Sequence, residues 1–217
     1  MRECRWRLGM FDWDGTLWNS IDLAYRRPLD VCRQCGIKPL PFEVWRDVPT
    51  SDFIKVGSIK GLPKGATPEK IWKMGKKYFN ARWKTVPFYP GAGKLIRLCM
   101  KLAISRAIVS GQDQGIIVKA LRKSDFNNSG WINNIRGEVR DKENVLVETL
   151  DYWGEKAEDA FYLDDTHEGL VAARRLGITA IGITHGLNSE RLIRKARPDF
   201  VVNSLYDVIK ILENGRR

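Results

Sequence analysis

From Pro90 onward the chain alternates short apolar runs with helix-periodic ones, and that rhythm restricts the fold more than any other feature of the sequence. Pro90-Gly91 opens a helical pattern that reaches about Leu102. Ala103 to Ser110 then reads as a buried strand, and Gln112 to Lys123 as a helix with Ile116, Ile117, Ala120 and Leu121 turned inward. Trp131 to Val139 is weakly strand-like, and Lys142 to Trp153 is helical. Ala160 to Leu163 is a short apolar strand that runs into two aspartates. Thr166 starts a helix that Gly177 stops after Leu176, and Ile178 to Ile183 is another buried strand. A short helix near Arg191 to Ala196, a strand Phe200 to Val202 and a helix Leu205 to Glu213 complete the series. Strands that each have helices on both sides in sequence predict an α/β fold with a doubly wound, Rossmann-like parallel sheet.

Ligands of such sheets sit beyond the carboxyl ends of the strands, where loop amides and helix N-termini converge. The polar residues there are Asp12 and Asp14 after the first strand, Ser110 after the second, and Asp164 and Asp165 after the fourth. The stretch from Trp18 to Pro87 does not share the alternation. Its helical segments, Asn19 to Cys35, Phe42 to Arg46 and Pro68 to Lys84, interrupt the sheet between its first and second strands. The expected organisation is therefore an α/β core from residues 1–17 and 88–217, with 18–87 inserted as a small helical cap.

At 217 residues and 43% apolar the chain can fill one domain with length left for an insertion. No apolar run approaches the roughly 20 residues that span a bilayer, so no membrane partner is expected. The first residues run straight into a strand-like segment without a signal-peptide core, and a cytoplasmic location is the expectation. Cys4, Cys32, Cys35 and Cys99 are too few and too scattered for a disulfide framework, and the Cys32/Cys35 pair lacks companions for a zinc site.

Asp12-Trp13-Asp14-Gly15-Thr16 sets two carboxylates two residues apart at a turn. Taken alone, the pattern also fits a solvated turn or a fragment of a calcium loop. With the other strand ends it suits attack on phosphorus, in which one carboxylate attacks and the other moves a proton, provided a metal neutralises the crowded charge. Asp12 would be the nucleophile and Asp14 the acid and base. Asp12, Asp165 and the backbone carbonyl of Asp14 would hold Mg²⁺, while Ser110 and the amide of Gly111 would receive a phosphoryl oxygen.

These residues resemble the haloacid dehalogenase superfamily, in the group that includes phosphoglycolate phosphatases and phosphosugar mutases. Phe11-Asp12-Trp13-Asp14-Gly15-Thr16-Leu17 matches the first motif and Ile108-Val109-Ser110-Gly111 resembles the second. Lys142, opening a helix after Arg140-Asp141, is the best match to the third, and Tyr162-Leu163-Asp164-Asp165-Thr166 resembles the fourth. The resemblance implies that residues 18–87 close over the site as a cap of the first type. It also implies phosphoester chemistry, because dehalogenases and phosphonatases carry another residue in place of Asp14. One departure concerns the fourth motif, where many capped members place a second aspartate four residues after the first. Here the aspartates are adjacent and Gly169 stands at the later position. Asp165 is assigned to the metal and Asp164 to its support, with the reverse assignment open.

Other residues have plainer readings. Arg140 and Arg136 compete with Lys142 for the electrostatic role. His167 reads as part of the first turn of a helix, His185 as a strand end and Thr166 as an N-cap. Trp45, Trp72 and Trp83 read as packing between cap helices. The formal charge is +11, and residues 18–90 hold fourteen Lys and Arg against six Asp and Glu. Lys70, Lys73, Lys76, Lys77, Arg82 and Lys84 have helical spacing and read as a solvated face, or else as a surface that steers anions, nucleic acid included. The expected function is Mg²⁺-dependent hydrolysis of a small phosphomonoester. A phosphosugar mutase and a non-catalytic basic binding protein are the alternatives.

Overall fold

The structure, a computed structural model, describes residues 4–34, 38–49, 67–124, 132 and 134–215. Six parallel strands form one sheet: β1 (Leu8–Phe11), β2 (Ser105–Val109), β3 (Asn134–Arg136), β4 (Ala160–Asp164), β5 (Thr179–Ile183) and β6 (Phe200–Val202), in the order β3-β2-β1-β4-β5-β6. The alternation of strands and helices thus produces the doubly wound sheet it predicts. The helices are α1 (Ile21–Gln34), α2 (Phe42–Arg46), α3 (Pro68–Arg82), α4 (Ala92–Lys101), α5 (Gln114–Lys123), α6 (Lys142–Trp153), α7 (His167–Arg175), α8 (Glu190–Lys195) and α9 (Leu205–Asn214). No helix among the described residues is long and apolar enough to cross a membrane.

Successive strand residues point to opposite faces, so each central strand feeds two cores. Leu8 and Met10 of β1, Ala107 and Val109 of β2, and Ala160 and Tyr162 of β4 pack with Leu146 and Leu150 of α6 and Leu170 and Ala173 of α7. Phe11, Ile108, Phe161 and Leu163 pack on the other face with Leu95 and Ile96 of α4, Ile117 of α5 and Val208 and Leu212 of α9. The central strands are buried on both faces, which is why their sequences are continuous apolar runs.

Register then fixes the site. Phe11 of β1 is paired with Ile108 on one side and Leu163 on the other, so the residues following all three emerge together. After β1 the chain turns to β2 and β3, and it later returns to β4 on the opposite side. The crevice at this change of direction lies beside Asp12.

Helices α1 to α3 lie between β1 and β2 in sequence. The chain departs and returns side by side, with Trp18 bridged to Phe88 and Asn19 N–H donating to the Pro87 carbonyl at 2.9 Å. Trp13, Trp18, Phe79 and Phe88 pack edge to face or tilted, with centroids 5.4 to 5.8 Å apart, which seats α3 on the turn after β1. Trp45 is buried against Tyr25 and Phe42, and Trp83 packs on the main core, in keeping with a packing role. Cys32 is buried on α1, whereas Cys35 and Trp131 lie outside the described residues.

Two expectations need correction. The helix predicted from Gln112 starts at Gln114, because the Asp113 side chain accepts from Ile116 N–H and caps it there, leaving Gln112 in the preceding turn. His185 lies beyond the end of β5. It stacks on Tyr89 with ring centroids 3.7 Å apart, and its Nε2 is 3.2 Å from the Thr16 carbonyl.

Candidate active site

Asp12 follows β1 directly, its N–H donating to the Leu163 carbonyl at 2.9 Å, so its position is fixed by the sheet ladder. Asp164 ends β4 and Asp165 follows it. Oxygen atoms of Asp12, Asp164 and Asp165 lie within 4.8 Å of one another, and all three residues are buried. Lys142, the first residue of α6, reaches in from the far side. Its Nζ donates to Asp12 Oδ1 at 2.8 Å and to Asp164 Oδ2 at 2.7 Å. Asp141 caps α6 by accepting from Asn144 N–H, which aims the first turn of the helix at the crevice.

One ammonium among three buried carboxylates leaves the cluster with excess negative charge. Burial raises the Asp12 carboxyl well above the ordinary aspartate range. The Lys142 charge opposes that rise, and the charges of Asp164 and Asp165 add to it. Asp165 is pushed up to about 7, by burial first and by Asp164 second, against donors from Leu187 N–H and Thr16 Oγ1. Burial alone would lower Lys142, but Asp12 and Asp164 together lift it well above the usual lysine value, so it stays cationic. This set of hard oxygen donors, short of positive charge and close together, fits a divalent cation such as Mg²⁺.

Each carboxylate is oriented by neighbours. Asp165 Oδ1 accepts from Thr16 Oγ1 at 2.8 Å and Oδ2 from Leu187 N–H at 2.5 Å. Asp164 Oδ1 accepts from Thr166 N–H at 2.7 Å and from Thr166 Oγ1 at 2.8 Å. Thr166 is also the N-cap of α7, accepting from Gly169 N–H, as its sequence context suggests. Three glycines border this network. A Cβ on Gly15 or Gly186 would overlap the Asp165 carboxylate, and one on Gly169 would overlap that of Asp164. The absent later aspartate is thereby explained, since the carboxylate of Asp164 fills the space into which a side chain at 169 would project.

Asp14 is turned elsewhere. Its Oδ1 accepts from Ser20 Oγ at 2.6 Å and its Oδ2 from Gln112 Nε2 at 2.8 Å, and its carboxylate is not among the clustered three. Ser110 is buried after β2, its Oγ accepting from Gln112 N–H at 3.3 Å, and Gly111 beside it is exposed. Of the three candidate cations, Lys142 alone is placed between Asp12 and Asp164. Arg140 lines a cavity of about 540 Å³ with Pro49, Lys142, His167 and Arg175, and Arg136 stands over the Tyr152 ring. Sequence reasoning missed Thr16, Ser20, Gln112 and Asn188. Thr16 and Ser20 lie within or just past the first motif, and a polar residue there was the available signal.

The inserted helices meet the core beside this site. Arg46 donates to the carbonyls of Thr184 and Asn188 at 3.1 Å each, Asn188 donates back to the carbonyls of Arg46 and Val48, and Asp47 pairs with Ser189 and Arg191. From α3, Lys76 is 2.8 Å from Asp113. The basic run on α3 is thus divided, with Lys73 paired to Glu69 on an exposed face and Lys76 used as a contact with the core.

The site is thus a cluster of three buried aspartates and one lysine at the switch point of a doubly wound parallel sheet. The model of the haloacid dehalogenase-like hydrolases matches residues 10–183, and the chain belongs to that family. Among curated relatives, a phosphoglycolate phosphatase of Neisseria meningitidis is 23% identical, with 94% of this chain and 92% of that protein aligned. Phosphoglycolate phosphatase 1 of Pseudomonas aeruginosa is also 23% identical, over 94% of this chain and 78% of its own length. Among solved structures, a haloacid dehalogenase-like hydrolase from Streptococcus pneumoniae superposes with a TM-score of 0.79 at 17% identity, covering 95% of this chain and 98% of its own.

Proposed function

We propose that the protein is a Mg²⁺-dependent phosphatase that hydrolyses a small phosphomonoester through an aspartyl-phosphate on Asp12. The observation that carries the reading is the Lys142 bridge between Asp12 and Asp164 inside a buried cluster of three carboxylates. Asp12, Asp164 and Asp165 would hold the metal, which when bound neutralises the cluster and the phosphate charge and so permits an anion to approach an anion.

The chain's own residues do the rest. Asp12 attacks phosphorus, and the leaving oxygen takes a proton from Asp14 as the P–O bond breaks. Asp14 then accepts a proton from the water that attacks the aspartyl-phosphate, which releases phosphate and restores both carboxyls. Ser110 Oγ and the Gly111 amide would receive the phosphoryl oxygens, and Lys142 holds Asp12 aimed along the line of attack. The inserted helices, as a cap from residue 18 to 87, would exclude bulk water from the intermediate. The phosphoglycolate phosphatases among the relatives make a small anionic phosphate ester the substrate class to try first, and the basic charge of residues 18–90 suits it.

The test is phosphate release from an aryl phosphate and from phosphoglycolate, with Mg²⁺ or with chelator, for wild type and Asp12→Asn. The reading requires turnover that needs Mg²⁺ and disappears in the variant. Equal rates in the two proteins would refute it.

A further inference from the structure

We propose that Gln112 is a positioning residue for Asp14, and that Lys76 of the inserted helix α3 sets it through Asp113. This rests on the reading of Asp14 as the acid and base. Gln112 is 9% exposed and sits in the turn between β2 and α5. Its Nε2 donates to Asp14 Oδ2 at 2.8 Å, and its Oε1 accepts from Asp113 N–H at 3.0 Å. The two contacts fix the amide orientation, since a flipped amide would set an oxygen against the carboxylate and NH₂ against an N–H. The Gln112 carbonyl is also held, accepting from Glu138 N–H at 2.8 Å.

Asp14 stands outside the cluster of Asp12, Asp164 and Asp165, its two oxygens turned to Ser20 and Gln112. Ser20 Oγ donates to one oxygen of that carboxyl and Gln112 Nε2 to the other, and the Gln112 contact fixes the side of the carboxyl that faces the β2–α5 turn.

The link to the insertion is a chain of three contacts. Lys76 Nζ lies 2.8 Å from Asp113 Oδ2, Asp113 donates its N–H to Gln112, and Gln112 donates to Asp14. Asp113 also caps α5 through Oδ1, which anchors the turn to the sheet side. When α3 is seated, Lys76 therefore steadies the turn that presents the Gln112 amide to Asp14.

The experiment compares kcat/KM, which reports phosphoryl transfer to Asp12 and not the later hydrolysis, on para-nitrophenyl phosphate, whose leaving group needs no proton, with kcat/KM on β-glycerophosphate, whose alkoxide does. Asp14→Asn is the reference and must lose far more on the alkyl ester. If its losses on the two esters are equal, the acid–base reading itself fails and this proposal with it. Gln112→Glu keeps the acceptor for Asp113 N–H and removes the donor, and Gln112→Leu removes both.

With the reference behaving as stated, each Gln112 variant is expected to lose about tenfold in kcat/KM on the alkyl ester and under about twofold on the aryl ester. Lys76→Met is expected to show the same pattern with a smaller ratio. Turnover of the aryl ester reports that each variant is folded. Equal losses on both esters, or none, in the Gln112 variants would overturn the positioning role. A Lys76→Met enzyme with the wild-type ratio would overturn its link to the insertion.

Discussion

Without a divalent cation the protein's stability should fall as pH rises from about 4 to about 7, the reverse of the usual behaviour of paired aspartates. The cause is Asp165, whose carboxyl is held up at about 7 by burial and by Asp164, against 3.8 for an ordinary aspartate. A folded state that prefers the protonated acid has its full stability where the unfolded chain is also protonated. It loses stability as the unfolded chain ionises and the folded one resists, until the folded carboxyl ionises as well. That gap corresponds to about 4 kcal/mol, which for a chain of this size is on the order of 10 °C in Tm. Asp12 shifts in the same direction and adds to the effect. His167 and His185 are lowered, chiefly by burial, and lean the other way, since they favour the neutral folded state and cost stability in acid. The quantity to measure is therefore the difference between wild type and Asp165→Asn in thermal unfolding, in chelator and in Mg²⁺, across that pH range. On the proposed function Mg²⁺ would bind the ionised cluster, so its stabilisation should be small near about pH 4.5 and largest above about pH 7. A wild-type curve in chelator that parallels Asp165→Asn, or a Mg²⁺ increment independent of pH, would refute the charge argument.

Two substitutions probe the same geometry. Gly169→Ala improves helix propensity by up to about 1 kcal/mol in the abstract, yet its Cβ would overlap the Asp164 carboxylate and press on Lys142 Cδ at 3.2 Å. A net loss of about 1 to 3 kcal/mol in denaturant titration is expected, with activity down at least tenfold, and a more stable, fully active variant would contradict it. Lys142→Met leaves Asp12 and Asp164 without their shared cation, so about 3 kcal/mol of stability and about 100-fold or more in kcat should be lost, measured on one preparation by calorimetry and phosphate release.

The centre of the sheet was legible because strands β1, β2, β4 and β5 are buried almost throughout and their apolar runs are short and separated by helices. Lys142 to Trp153 and Phe200 to Val202 are found where the pattern predicts them. Helix α5 was misplaced by two residues because a side-chain cap decides that boundary and periodicity does not see caps. Asp12, Asp164 and Asp165 could be brought together from sequence since each lies at or directly after the end of β1 or β4, neighbouring strands of one parallel sheet, so register aligns them. Their supports could not. Thr16 finds Asp165 across 149 positions and Gln112 finds Asp14 across 98, and no periodicity links such pairs. The meaning of Gly169 was likewise hidden, since only the path of the Asp164 side chain shows what occupies that space.

The claim that Asp12 carries the phosphoryl group is tested most directly by trapping it. Enzyme turning over an aryl phosphate in Mg²⁺ is quenched with borohydride, which reduces an aspartyl-phosphate to homoserine, and the digest is read by peptide mass spectrometry. Homoserine at position 12, and its absence without substrate, is the predicted result. Steady turnover with reduction at another carboxylate, or at none, would contradict the account.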